Sequence, residues 1–459
     1  MNHITFDFNI KNDLNIQITL ESNKEKGNEF SREEKFLKLH ILNEKDYYNN
    51  KLNFEYLGGH IVANLLHYSG EFTLDLRNYD ADEAAFIING IYLRSWTFDE
   101  FKNKKKEKIQ KLNIKVDDKN LENIKKIFYE DLKKQSDGVL WAQRISNMPP
   151  NIIYPETYVN EVKKLFFNEK NIKITILNSE EIQKKNMNLL YGVGKGSKYP
   201  PYVMIIEKGN NPTTALIGKG VTFDTGGINL KGAEGMRHMK MDKAGASSVV
   251  GAVFASKEPV MGIIGLVENM IGPDAQRIDD IIKSMNDSYV EIAHTDAEGR
   301  LILADLNSFA ETFTNITEII NVATLTGAVG ICLGKEYAAL MSNNENLTKK
   351  LKIAGNETGD RVWELPCGPE YDYYLTERTD GDVSNLGPKG EGGTIAGGKF
   401  IQYFVKNKNI KWAHLDIAIA HQRHTPLSGK EFSNGFGVRL LSYYMSNKKC
   451  CSEKIDCCK

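Results

Sequence analysis

The length of 459 residues is typical of a protein with two or three domains. The hydrophobic fraction of 41% and the charged fraction of 26% are typical of a globular protein. Its 59 basic and 60 acidic residues give a formal net charge of −1, which excludes an overall electrostatic bias toward nucleic acid or anionic membranes. The apolar runs are too short to span a bilayer, and the first residues lack the pattern of a secretory signal. With four of the six cysteines in the last ten residues, no disulfide framework is predicted, and the cytosol is the favoured compartment.

The first hundred residues predict a small α/β domain. They contain the strand-like runs NIQITL, FTLDL and AAFIING, separated by charged connectors. Residues 102–134 are rich in lysine, and Leu121, Ile124 and Phe128 recur there at helical spacing. We interpret this segment as a solvated helix that connects two domains, in preference to a nucleic-acid surface. The predicted domains are residues 1–135 and 136–459.

After a proline-rich linker at 146–158, the rest of the chain alternates between strand and helix patterns. The predicted strands are IKITIL, LLYGV, YVMII, TALIG, GIIGLV, EIINVATL and WAHLDIA. Helices are predicted near residues 241–256, 276–285, 301–314, 396–406 and 436–446. This order predicts an α/β fold with a mixed, largely parallel sheet flanked by helices. In such sheets, ligand sites gather at the carboxyl ends of the strands.

The segment HTDAEGRLILAD places three charged side chains directly before an apolar helix. If the segment is extended, Asp296, Glu298 and Arg300 point to one side and face a common point. A solvated acid pair is the alternative, but the apolar flanks disfavour it, because a buried charge needs a partner.

Two further acids follow strand-like segments. In GKGVTFDTGGINLK, Asp224 lies between Lys219 and Lys231, and Asp242 begins a helix of small residues, where it could also be a helix cap. Together with Asp296 and Glu298, these acids carry four negative charges, which two divalent cations would neutralise. Hard oxygen ligands of this kind are typical of a two-metal hydrolytic site.

The segments GKGVTFDTGGINLK, MKMDKAGAS and TDAEGRLILAD closely resemble the signature segments of the M17 leucine aminopeptidase family. NVATLTGA, DRVWELP, WAHLDIA and NGFGVRLL match further family segments in the same order, so the resemblance covers about residues 140–448. It implies that residues 136–459 form a metallopeptidase catalytic domain. The implied protein is a cytoplasmic homohexamer that releases leucine and other apolar residues from peptides with a free amino terminus.

The resemblance also implies two divalent cations, usually zinc, manganese or cobalt. One would be held by Lys219, Asp224, Asp242 and Glu298, and the other by Asp224, Glu298 and Asp296. A lysine can coordinate only as a neutral amine, which burial and nearby cations favour.

Roles in the reaction are implied for two basic residues. Lys231 would stabilise the developing oxyanion, and Arg300 would hold a bicarbonate ion that acts as general base. An apolar substrate pocket would be lined by Met239, Thr324, Gly327 and Ala418.

Three positions depart from the family pattern. His294 stands where asparagine is common, and we expect it to support the neighbouring loop. Lys243 adds a charge close to the predicted metal site, and His421 is expected near the pocket rim, where it would affect side-chain preference. The tail CCSEKIDCCK has no family counterpart, and we assign it no function.

Two functions are alternatives to an aminopeptidase. One is a DNA-binding or regulatory role, based on the lysine-rich segment. The other is an inactive scaffold, which the complete set of site residues disfavours.

Overall fold

The computed structural model describes residues 15–21, 30–33, 36–42, 50–66, 70–103, 109–377, 379–429 and 433–448. The chain divides into two compact units, Met1–Leu140 with His424–Glu431, and Trp141–Arg423 with Phe432–Lys459. The functional boundary after residue 135 stays a prediction, and the four tail cysteines lie outside the described residues. Within the described part of the chain, no helix is long and apolar enough to cross a membrane.

The first unit contains a five-stranded sheet with helices. Its strands are β1 (Asn15–Glu21), β2 (Phe30–Glu33), β3 (Phe36–Leu42), β4 (Gly70–Asp75) and β5 (Ile109–Lys115). Its helices are α1 (Asn50–Leu65), α2 (Ala81–Arg94), α3 (Asp118–Lys126) and the beginning of α4 (Lys133–Asn147), which follows the π-helical segment Ile127–Leu132. The sheet order is β2-β3-β1-β4-β5, and all pairs except β2 with β3 are parallel. The predicted small α/β architecture is thus present.

The prediction of a strand at AAFIING is wrong, because this run lies inside α2. Asp80 and Glu83 form a reciprocal capping box that begins the helix, with hydrogen bonds of 2.9 and 3.0 Å. Gly90 lets α1 approach closely, since a Cβ atom there would lie 1.8 Å from the carbonyl oxygen of Glu55. A short apolar run does not by itself separate a buried strand from a buried helix.

The second unit contains eleven strands in its described part. They are β6 (Ile172–Leu177), β7 (Tyr202–Lys208), β8 (Thr214–Asp224), β9 (Val260–Asn269), β10 (Ile281–Lys283), β11 (Tyr289–Glu291), β12 (Glu318–Ala323), β13 (Ala338–Ser342), β14 (Val362–Glu364), β15 (Val383–Ser384) and β16 (Lys411–Asp416). The helices that follow α4 are α5 (Pro155–Leu165), α6 (Ser179–Lys184), α7 (Asn188–Gly194), α8 (Ala233–Met236), α9 (Ala244–Ala255), α10 (Glu298–Ala310), α11 (Ala328–Leu333), α12 (Glu345–Thr358), α13 (Tyr373–Thr376), α14 (Gly393–Tyr403) and α15 (Val438–Asn447). Short 3₁₀ turns span Met239–Met241, Pro369–Tyr371 and Ala420–Gln422.

The main sheet of this unit has eight strands in the order β14-β13-β16-β12-β8-β9-β7-β6. The central strands β16, β12, β8 and β9 are parallel, while β13, β7 and β6 pair antiparallel with a neighbour. The predicted mixed, largely parallel sheet flanked by helices is confirmed. The strands β8, β9 and β12 are buried almost throughout, which explains their continuous apolar sequences.

Glycines on the central strands set how closely the helices approach. A Cβ atom at Gly218 would lie 2.6 Å from the Cα atom of Ala246 in α9, so α9 covers this face of the sheet. A Cβ atom at Gly265 would lie 2.7 Å from Ile302 in α10, which covers the other face. Because Gly265 is the register partner of Lys219, the lysine side chain also points toward α10.

Three further predicted elements are wrong, wholly or in part. The helix predicted across residues 102–134 begins only at Asp118, because residues 109–115 form the strand β5. LLYGV lies in α7 and not in a strand, since five apolar residues fit both structures equally. The helix predicted at 276–285 is absent, and this stretch contains a loop and the strand β10, which pairs antiparallel with β11. Ile278 and Ile281 are 42% and 47% exposed, so their helical spacing does not reflect a buried face.

Candidate metal centre

The candidate site is built from the end of β8, the turn before α9 and the start of α10. Lys219 and Asp224 both lie on β8, five positions apart, and in a regular strand they would point to opposite faces. The pairing of β8 with β9 shifts register between Val221 and Asp224. This irregularity brings the Asp224 carboxylate to the edge where Lys219 also points.

The ammonium group of Lys219 lies between two carboxylates. Its Nζ atom is 2.7 Å from Oδ1 of Asp242 and 2.8 Å from Oε1 of Glu298, and it donates a hydrogen bond of 2.9 Å to the carbonyl oxygen of Thr324. The side chain is 2% exposed. Burial acts to lower the pKa of Lys219, but the carboxylates of Asp242, Glu298 and Asp224 raise it above the ordinary lysine value.

Space for Lys219 depends on a glycine in α10. A Cβ atom at position 299 would lie 2.7–2.8 Å from three atoms of the lysine side chain, which include Nζ. Gly299 therefore fixes how closely the first turn of α10 can approach β8.

A second lysine, Lys231, contacts the other two acids. Its Nζ atom is 2.9 Å from Oδ2 of Asp224, and it also donates to Oδ1 of Asp296. Burial acts to lower the pKa of Lys231, whereas the carboxylates of Asp224, Glu298 and Asp296 raise it. Each lysine thus contacts a different pair of acids in one cluster: Lys219 contacts Asp242 and Glu298, and Lys231 contacts Asp224 and Asp296.

The turn between Asp224 and Lys231 requires glycine. Gly226 and Gly227 have φ angles of +87° and +67°, in the region that glycine adopts without strain. The backbone N–H of Gly226 donates to Oδ1 of Asp224 at 2.9 Å. The TGG sequence therefore fixes one oxygen of the carboxylate and leaves Oδ2 toward Lys231.

The acidic groups converge more closely than their repulsion alone would allow. Carboxylate oxygens of Asp224, Asp296 and Glu298 lie within 4.8 Å of one another. Burial, together with the neighbouring charges of Glu298 and Asp224, raises the pKa of Asp296 to about 7, although Lys231 acts to lower it. Burial likewise raises the pKa of Asp242 well above its ordinary value, against the opposing effect of Lys219. Four carboxylates and two ammonium groups leave a formal charge of −2.

Two oxygens of this cluster lack partners. Oδ2 of Asp242 and Oε2 of Glu298 are buried and accept no hydrogen bond from the described residues. An unsatisfied buried carboxylate oxygen is costly, and a bound cation removes that cost. The cluster therefore fits hard divalent cations in both charge and donor type.

The expectation that residues 296–300 are extended is wrong. Helix α10 begins at Glu298, so Glu298 and Arg300 lie in its first turn, and Asp296 lies just before it.

Arg300 is buried and only partly hydrogen-bonded. Its Nη1 donates to the carbonyl oxygen of Asn385 at 2.9 Å, and its buried Nε has no hydrogen-bond partner among the described residues. Burial lowers the pKa of Arg300 to about 10, although Glu298 and Asp416 act to raise it.

Several supporting residues have no local sequence signal. Asn269 donates to Oδ1 of Asp224 at 2.9 Å, and Thr295 donates to the carbonyl oxygen of Gly226 at 2.6 Å. Asn385 accepts hydrogen bonds from two backbone N–H groups and donates to the carbonyl oxygen of His294 at 2.8 Å. These contacts fix the loop before α10, and sequence reasoning missed all three residues.

His294 contacts the same loop. Its Nδ1 atom accepts a hydrogen bond of 3.2 Å from the backbone N–H of Asp296. Burial lowers the pKa of His294, and Arg300 and Lys231 act in the same direction, so the neutral imidazole that accepts this bond is favoured.

Of the predicted pocket residues, Thr324 is directly connected to the cluster. Its hydroxyl donates to Oδ1 of Asp242 at 2.7 Å. Sequence reasoning missed Asp416. Its carboxylate accepts hydrogen bonds from the backbone N–H groups of Leu325 and Ala418, at 3.1 and 3.2 Å. Asp416 therefore connects the loop before Gly327 to the segment after β16. Met239 lies in the 3₁₀ turn that precedes Asp242. The shared pocket of these side chains stays a prediction.

Of the two remaining departures, Lys243 and His421, only His421 differs from its expected placement. Lys243 is fully buried, and its ammonium donates to the carbonyl oxygens of Met148, at 3.1 Å, and Lys240, so it is directed at backbone groups. Burial and the charge of Lys240 lower the pKa of Lys243 to about 7, although the nearby carboxylate of Asp242 acts to raise it. His421 is also fully buried, which makes its expected place at a pocket rim wrong, and burial lowers its pKa to about 3.

Comparison with known proteins gives a consistent result. The catalytic-domain model of the cytosol aminopeptidase family matches residues 140–442. A probable cytosol aminopeptidase of Wolbachia pipientis wMel is 39% identical over 386 residues, which cover 79% of this chain and 76% of that protein. A probable cytosol aminopeptidase of Phytoplasma australiense is 40% identical over 390 residues, which cover 82% of this chain and 78% of that protein.

Solved structures show the same fold. The bottromycin maturation enzyme BotP in complex with Mn aligns with a TM-score of 0.82 at 23% identity, covering 95% of this chain and all of that chain. A second structure of BotP aligns with a TM-score of 0.80 at the same identity.

Proposed function

The chain belongs to the cytosol aminopeptidase family and is therefore a peptidase, and we propose that it releases N-terminal amino acids from peptides by two-metal hydrolysis. The observation that carries this proposal is the convergence of Asp224, Asp296 and Glu298 within 4.8 Å, beside Asp242 with its unsatisfied oxygen. Lys219 and Lys231 compensate only part of this charge, so a purely structural cluster would keep a buried formal charge of −2.

The proposed ligands divide between two cations. Lys219, Asp224, Asp242 and Glu298 would hold one, and Asp224, Glu298 and Asp296 would hold the other. When bound, the cations supply Lewis-acid polarisation of the scissile carbonyl and acidify a water molecule. The name of the BotP complex includes manganese, which supports a divalent ion here, and zinc, manganese and cobalt are the proposed candidates.

Lys219 can act as a ligand only after it loses a proton. Its ammonium now pairs with Asp242 and Glu298, at 2.7 and 2.8 Å, and these carboxylates are the groups that bound cations would neutralise. Loading the site therefore removes the reason for the raised pKa of Lys219, and metal binding should release protons.

Lys231 has a different proposed role. It is less buried than Lys219, with a side chain 16% exposed, so it lies nearer to the space that a peptide would enter. Its ammonium is positioned by Asp224 at 2.9 Å and by Asp296. We propose that it donates to the oxygen of the scissile carbonyl as negative charge develops there.

Arg300 is the proposed binding residue for bicarbonate. Its Nη1 is anchored to Asn385, while its buried Nε lacks a partner among the described residues. A buried guanidinium with an unused donor favours a small anion, and bicarbonate held there would accept a proton as general base.

Substrate preference and assembly are proposed from the family resemblance. Met239, Thr324, Gly327 and Ala418 are apolar or small, which supports a preference for leucine and similar residues. We further propose a homohexamer in the cytoplasm. Sedimentation of the purified protein should give a particle of six chains, and a monomer would contradict this part of the proposal.

The reaction is tested with a leucine amide reporter and its N-acetylated analogue. Purified protein supplied with Mn²⁺ or Zn²⁺ should cleave only the unblocked substrate, and a chelator should abolish cleavage. Equal cleavage of the blocked analogue would contradict recognition of the free amine.

The DNA-binding alternative is supported only by the lysine-rich segment. Lys119, Lys125 and Lys133 each lie within 3.0 Å of an acidic side chain, as in a solvated helix face. A salt-sensitive gel shift with duplex DNA would be the observation in its favour.

A further inference from the structure

A cavity of about 620 Å³ lies at the opposite end of β16 from the carboxylate cluster. Asn343 lines the cavity and accepts a hydrogen bond from the backbone N–H of Trp412, near the start of the strand, whereas Asp416 ends the strand beside Thr326. Trp412 and Asp416 are four positions apart on the strand, which separates the two places by on the order of 13 Å. The volume falls in the range of small-molecule sites, roughly 300–1,000 Å³. The cavity is thus separate from the candidate metal centre.

An asymmetric ion pair lines this cavity. Lys399 on α14 has a side chain only 7% exposed, and its Nζ atom is 2.5 Å from Oδ1 of Asp372, whose side chain is 65% exposed. Lys399 also donates to Oε1 of Gln402 at 3.0 Å. Asp372 can exchange its partner for water at little cost, but the buried ammonium needs an anion.

The remaining lining combines positive charge with an apolar wall. Lys406 and Lys408 add two cationic groups, and Nζ of Lys406 lies 3.4 Å from the ring centroid of Tyr403. Leu375, Val383 and Val405 supply apolar surface. Three lysines and one aspartate line the cavity, and this excess of positive charge favours an anion. The apolar wall favours an anion with a hydrocarbon part.

We propose that this cavity binds a small organic carboxylate, whose carboxylate group replaces that of Asp372 on the ammonium of Lys399. The apolar part of the ligand packs against Leu375, Val383 and Val405. Asp372 serves as the anion of the free protein, so it competes with the ligand. Removing the two members of the ion pair should therefore change ligand affinity in opposite directions.

Titration calorimetry with N-acetyl-L-leucine tests this on the intact, metal-loaded protein. This probe has a carboxylate and an apolar side chain, and its blocked amine makes it a poor substrate. Lys399→Gln should weaken binding at least about tenfold, and Asp372→Asn should strengthen it about threefold or more. Lys411→Gln, an exposed lysine outside the cavity, is the matched control and should leave binding unchanged.

Three results of the calorimetry with N-acetyl-L-leucine would overturn the proposal. They are no saturable binding, binding that Lys399→Gln leaves unchanged, and weaker binding in the Asp372→Asn variant. Asp372 is exposed and its replacement should not impair folding, so this variant gives a decisive answer even if Lys399→Gln is unstable. Inorganic phosphate at equal ionic strength should bind at least about fivefold more weakly, because it gains no apolar contact. Equal affinity would overturn the organic-carboxylate assignment.

Thiol modification gives an independent reading of where the probe binds. Cys367 lines the cavity and donates to Gln402, while Cys332 is exposed elsewhere. The probe should slow alkylation of Cys367 and leave Cys332 unaffected, as mapped by mass spectrometry. Equal rates at Cys367 with and without saturating probe would contradict binding in this cavity.

Discussion

Two buried glutamates in the second unit show how differently the same side chain can be used. Glu318, at the start of β12, is 3% exposed, and its Oε1 accepts from the hydroxyls of Tyr444 and Thr214, at 2.8 and 3.1 Å, and lies 2.8 Å from Nζ of Lys448. Glu298, at the start of α10, is equally buried, and its Oε1 lies 2.8 Å from Nζ of Lys219. Its Oε2, however, has no partner among the described residues. Its nearest acidic neighbours repel it.

This difference in hydrogen-bond partners indicates that Glu318 stabilises the fold, whereas Glu298 binds a ligand. A buried carboxylate with several donors contributes to stability, and removing it leaves those donors unsatisfied. A buried carboxylate among other acids costs stability until a cation is bound, so replacing it should spare the fold and abolish function. The predictions below test this distinction.

The largest effect is expected from Asp296→Asn. The variant loses one proposed metal ligand, so kcat/KM should fall at least about 1,000-fold, or roughly 4 kcal/mol. When both proteins are metal-free, the midpoint of thermal unfolding should not fall, because one of several mutually repelling carboxylates is removed. Asp287→Asn, in the exposed turn between β10 and β11, is the control and should retain full activity. Retained turnover in Asp296→Asn would remove this residue from the metal site.

A smaller loss is expected from Lys231→Gln. The amide keeps a donor but loses the charge, so kcat should fall about 100-fold through weaker stabilisation of the oxyanion. KM should change much less, since the proposed contact strengthens in the transition state. Steady-state kinetics with the leucine amide reporter separates the two constants. A raised KM with unchanged kcat would assign Lys231 to substrate binding.

Glu318→Gln should have the opposite pattern. Loss of the charged partner of Lys448 should lower the free energy of unfolding by about 2 kcal/mol, while kcat/KM stays unchanged. Urea denaturation followed by circular dichroism measures the first quantity. If this variant kept its stability and lost activity, the distinction between the two glutamates would be wrong.

The smallest effect concerns Asp305, a third buried acid, which lies on α10 and accepts backbone N–H groups of Leu190 and Met285 at 3.0 Å. Burial raises its pKa from 3.8 to about 7. An acid with a raised pKa binds more protons in the folded protein, so its contribution to stability falls as the pH rises from about 4 to about 7.

Asp305→Asn removes this titration but also loses one hydrogen-bond acceptor, which makes the variant less stable at low pH. The stability gap between the two proteins should narrow by on the order of 1–2 kcal/mol as the pH rises across this window. Unfolding curves at several pH values measure the gap. A gap that widens with pH would contradict the raised pKa.

The sequence predicts the outline of this molecule well where the signal is local. The apolar runs of β8, β9 and β12 predict a largely parallel sheet. The four acids singled out from their local context, Asp224, Asp242, Asp296 and Glu298, are brought together around Lys219 and Lys231. LLYGV and residues 276–285 were assigned wrongly because short apolar spacing fits more than one structure.

The detailed geometry depends on contacts between distant segments. The register shift in β8, which turns Asp224 toward Lys219, has no marker in the sequence. Asn385 lies about 90 positions from the loop that it holds, and Asp416 acts through backbone N–H groups, which any residue supplies. The start of α10 at Glu298 was missed because no side chain caps this helix in the usual way.

The most direct test of the central claim is elemental analysis of gently purified protein. If the acidic cluster exists to hold a pair of dications, the wild-type chain should contain close to two transition-metal equivalents, and Asp296→Asn should contain fewer. A folded wild-type protein that takes up no transition metal under these conditions would contradict the account.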